Sequence, residues 1–154
     1  AGVRLFFQLP PDVDAATLTF KDSKGTVIRS FGTDSSGDDA LEVKEGMNRF
    51  DWDLRCEKAD DFEGLLMWWG TLRGPVVPPG IYSAELTADD DTLTANFEIQ
   101  LDPRSEGTVA DRLAQFEFLK SVRCWKDKCI ALSCRSDRSE IPYVILCIYN
   151  TTEA

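Results

Sequence analysis

Residues 46–53 read GMNRFDWD, and the fold turns on what these eight residues are doing. In an extended strand alternate side chains share a face, so Asp51 and Asp53 point one way and Trp52 the other. If the ring is the inward residue, the stretch is a structural device. Gly46 allows a turn, Asn48 bonds to nearby backbone, and Trp52 fills the space between two sheets. Asp53 and Arg55 then share the outer face, where they can pair. If instead the carboxylates are the purpose, this is an acidic catalytic or metal site, in a chain of 154 residues that contains no histidine.

Upstream of this stretch the text alternates with the period of half-buried strands. VRLFFQ (3–8), ATLTFK (16–21) and TVIRSF (26–31) are strand candidates, and DSKG (22–25) between the last two supplies the glycine of a tight hairpin. A loop rich in Gly, Ser and Asp follows at 32–39. LEVK then leads through EG into MNRFDWDL (47–54). Downstream, IYSAELTA (81–88) starts right after PPG, turns at DDDT and returns as LTANFEIQ. About seven short strands at close spacing predict an all-β fold, an immunoglobulin-like antiparallel β-sandwich. Trp52, Tyr82, Leu18 and Phe20 are its expected core.

After DPRSEGT (102–108) the period changes. Val109, Leu113, Phe116, Leu119 and Val122 recur at helical spacing, with Thr108 as N-cap and Asp111 as the acid of a capping box, predicting one helix over 109–123. The expected organisation is thus a sandwich over 1–102, a linker and amphipathic helix over 103–123, and an atypical cysteine-rich tail over 124–154. Within the tail, IPYVILCIY reads as an apolar strand.

Composition narrows the function. A length of 154 residues suits one main domain, and 43% apolar residues suffice for a core. With 27 Asp and Glu against 17 Lys and Arg, the net charge of −10 disfavours nucleic acid and anionic membrane surfaces as partners. No apolar run approaches the roughly 20 residues of a spanning helix. The first residue is Ala1, as expected of a processed product or of a piece of something longer.

Few residues offer chemistry. A carboxylate pair at Asp51 and Asp53 needs one member with a raised pKa. Calcium is a better competitor, since Asp51, Asp53 and the runs at 60–61 and 89–91 supply hard oxygens, although none follows a spaced calcium loop. Histidine-dependent nucleophilic catalysis is excluded, and no GxSxG elbow or P-loop is present. The five cysteines, Cys56, Cys124, Cys129, Cys134 and Cys147, read as free thiols, as a tail disulfide, or as a zinc site at the wide limit of its spacing. No cofactor is expected. In LLMWWG (65–70) Trp68 and Trp69 point to opposite faces of an extended segment. Met67, Trp68 and Trp69 are therefore candidates for core packing, for an interdomain contact, or for a platform that stacks on a sugar ring.

The order LTFKDSKGTVIRSF, EGMNRFDWDLR, GPVVPPGIYSAELTA resembles the Ig-like module of the flagellar hook-capping protein. It resembles more closely the C-terminal module of exported proteins with sortilin-like or Asp-box (sialidase-type) β-propellers. Asp22, Gly25 and Val27 fit its "D-x-x-G-x-V" hairpin. Gly46, Asn48, Trp52, Asp53, Leu54 and Arg55 fit "G-x-N-x-x-x-W-D-L-R", and Pro79, Gly80 and Tyr82 fit "P-G-x-Y". The DPR at 102–104 and the helix with DRLAQFEFL are similar to the family's continuation. Over about residues 4–123 the resemblance implies a non-catalytic accessory domain of an exported protein, partnered by a propeller. It carries over no catalytic residues. From Cys124 the text departs, as a shifted reading frame or truncated gene would make it, and its apolar strand is expected to pair with a sheet edge or a second copy, giving a tail-mediated homodimer.

Overall fold

The computed structural model describes residues 2–11, 13, 15–59, 72–89 and 91–124, and the helical backbone of 125–133. Six strands, a short 3-10 helix (Gly37–Asp39) and one long α-helix form among these residues: β1 (Val3–Leu9), β2 (Ala16–Asp22), β3 (Val27–Gly32), β4 (Gly46–Trp52), β5 (Gly80–Ala88), β6 (Asp91–Ile99) and α1 (Val109–Ser133). The fold is all-β, with two antiparallel sheets. One holds β1 and β4; the other runs β3-β2-β5-β6.

Local chemistry sets the pairing. At the β2–β3 hairpin the Gly25 N–H donates to the Asp22 carbonyl at 2.9 Å, and Gly25 takes φ +81°, which a residue with a Cβ resists. The Asp22 carboxylate also accepts from the backbone N–H groups of Lys24 and Thr26, each at 2.8 Å. Partial burial raises the carboxyl pKa, but these bonds outweigh it and leave Asp22 below its ordinary value. Across β2 and β5, Lys21 pairs with Glu85 at 2.7 Å.

The core lies between the sheets. Trp52 from β4 and Phe20 from β2 are its largest fully buried side chains, stacked with centroids 4.1 Å apart and planes 16° from parallel. Phe50 meets Phe31 at 4.7 Å, and Leu18, Tyr82, Ala84 and Leu86 are buried around them. Alternation along each strand puts these residues on one face.

Three expectations are corrected. Leu41–Lys44 forms no strand, so six strands stand among the described residues where about seven were expected. The Asn48 side chain takes Lys44's backbone groups: the Lys44 N–H donates to its Oδ1 at 2.9 Å and its Nδ2 donates to the Lys44 carbonyl at 2.7 Å. The helix continues through Cys124 to Ser133 rather than stopping at 123. Its apolar stripe is also less buried than its period implies, since Val109, Leu113 and Leu119 are exposed and Phe116 packs on the core. The capping box forms as expected, with the Asp111 N–H donating to Thr108 Oγ1 at 3.2 Å and the Thr108 N–H to Asp111 Oδ2 at 2.7 Å.

The hairpin yields a pH prediction. Because the folded pKa of Asp22 is depressed, its contribution is present above the unfolded value near 3.8 and is lost as pH falls through the folded one. Urea unfolding of the protein and of Asp22→Ala should differ most above about pH 5 and converge as the pH falls below about 4.

Candidate functional site

The segment that follows Trp52 gathers most of the unusual geometry. The indole N–H of Trp52 donates to the Arg55 carbonyl at 3.1 Å, and the Arg55 N–H donates to Asp53 Oδ1 at 3.1 Å. Between them Leu54 adopts φ +63°, a left-handed conformation that costs a side-chain-bearing residue of order 1 kcal/mol or more. Two turn-forming bonds hold it there.

This kinked segment is then laid against residues 72–77. Val77 donates to the Leu54 carbonyl at 2.8 Å, Cys56 to the Pro75 carbonyl at 3.0 Å, and Ala59 to the Leu72 carbonyl at 2.8 Å. Arg55 donates to the Gly74 carbonyl at 2.9 Å. The approach is close enough that a Cβ on Gly74 would lie 2.2 Å from the Cys56 carbonyl oxygen and 2.4 Å from that of Glu57. Only glycine fits. The helix docks on the same segment, with Arg123 donating to the Lys58 carbonyl at 3.0 Å.

An open cleft of about 440 Å³ borders it, with Arg29, Phe31, Phe50, Asp53, Arg55 and Gly74 among its lining residues. Arg29 is buried, 8% exposed. Its Nε donates to Asp39 at 2.8 Å and its NH2 to the Asp38 carbonyl at 2.9 Å; its NH1 lies 3.6 Å from Asp53. The guanidinium also sits 4.6 Å over the Phe31 ring. Its charge is thus met by two carboxylates and a carbonyl of the chain itself. Sequence reasoning missed Arg29, although the alternation of TVIRSF puts it on the face of Phe31 and its cross-strand partner is Phe20. It also missed Gly74, whose role depends on a contact made across the fold.

The acidic pair is divided. Asp51 is exposed and gripped by Arg49 and Arg4, at 2.9 and 2.7 Å from their Nε atoms. Hydrogen bonds from Arg49, then Arg4, hold its carboxyl below the usual range, opposite to what a general acid requires. Asp53 instead serves the turn and lies 3.8 Å from Arg55. Among the described residues no three Asp, Glu or Cys side chains converge to hold a metal ion. Asp102 in DPR is likewise lowered, by the side chain and backbone N–H of Arg104.

Tyr82 donates its hydroxyl to the Pro78 carbonyl at 2.6 Å, and burial pushes its pKa up to about 12. Cys56 is a buried free thiol whose pKa is raised by burial; Cys124 is free and exposed. Met67, Trp68 and Trp69, the acidic run at 60–61, Cys134, Cys147 and the tail strand with its expected dimer lie outside the described residues. No described helix is long and apolar enough to cross a membrane.

No family model, curated protein or solved structure matches the chain.

Two outcomes follow from this geometry. Gly74→Ala, a single added methyl, should cost about 3 kcal/mol or more in urea unfolding, because the atoms it meets are backbone. Iodoacetamide labelling followed by peptide mapping should modify Cys124 in the native protein and Cys56 only after unfolding.

Proposed function

We propose that the chain is a non-catalytic, immunoglobulin-like accessory module of a larger exported protein, one that packs beside a β-propeller of the same polypeptide. The observation that carries this reading is where the motif residues spend their bonds. Asn48 bonds to Lys44 and Gly46, Trp52 to Phe20 and Arg55, Asp53 to the Arg55 N–H, Arg55 to Gly74, and Tyr82 to Pro78. Every one is directed inward, to the fold. Asp22, Asp51, Asp102 and Asp111 have lowered carboxyl pKa values, which suits turns, caps and ion pairs rather than acid catalysis.

Topology supports the immunoglobulin-like part. The order β3-β2-β5-β6 opposite β1-β4 corresponds to strands C′-C-F-G opposite B-E, with hairpins at the two expected places. Tyr82, near the start of the strand that corresponds to F, bonds back to a carbonyl four residues upstream, which is the tyrosine-corner device of such sandwiches.

The test is to read the coding sequence contiguous with this chain, express any propeller it encodes separately, and titrate it with the module by calorimetry. Saturable binding to that propeller is expected. A natural reading frame with no propeller contradicts the reading. So does saturable tryptophan quenching by one of a panel of soluble polysaccharides, lost in Trp68→Ala or Trp69→Ala, which would make the chain a carbohydrate-binding module.

A further inference from the structure

We draw no further inference here: the strongest candidate, the cleft between Arg29, Phe31 and Phe50 of the sheets and Arg55 and Gly74 of the kinked segment, has its buried cation already met by Asp39, Asp53 and the Asp38 carbonyl, and nothing in the structure shows what covers it.

Discussion

The face-to-face contact of Trp52 with Phe20 is the interaction on which the rest of the structure depends. It is the place where the largest residue of the two-stranded sheet meets a ring of the four-stranded one, and both are fully buried. Burying two such rings removes several hundred Å² of apolar surface from water, and their offset stacking adds about 0.5–1.5 kcal/mol beyond area. Once the ring is fixed there, the chain must leave β4 without exposing the indole N–H to an apolar interior. The kink at Leu54 meets that demand by turning the Arg55 carbonyl toward the indole. Gly74 and the segment 72–77 then close over the kink, and α1 leans on it through Arg123. One packing choice thus propagates through a turn, a close backbone approach and a helix contact.

Charge follows the same economy. Asp51, on the opposite face of β4, is held by Arg4 and Arg49 at the surface, where such pairs contribute about 0–1 kcal/mol. Arg29 is the exception. It is buried, so removing Asp39 or Asp53 leaves a cation with fewer partners, a change that costs far more than loss of an exposed pair. Among the described residues Arg29 is the buried cation, and Asp39 and Asp53 compensate it locally.

Much of the fold could be read from alternation and turn chemistry, because those rules are local. The hairpin at DSKG, the inward placement of Trp52, Leu18, Phe20 and Tyr82, and the capping box at Thr108 and Asp111 each follow from residues within a few positions of one another. What escaped was non-local. LEVK has strand composition, but Asn48 claims the backbone of Lys44. Gly74 matters only because Cys56 and Glu57 cross it. The helix outruns its apolar period and continues to Ser133. For the site, the motif residues were legible as structural devices, whereas the cleft around Arg29 needs Arg29, Asp39, Asp53 and Gly74 brought together from distant segments.

The most direct measurement is a double-mutant cycle in urea with Trp52→Phe, Phe20→Leu and the pair. If the two rings clasp the sheets as described, their coupling should be about 1 kcal/mol, with each single change destabilising. Strictly additive effects would mean that the two sheets are held together elsewhere and that Trp52 is merely buried.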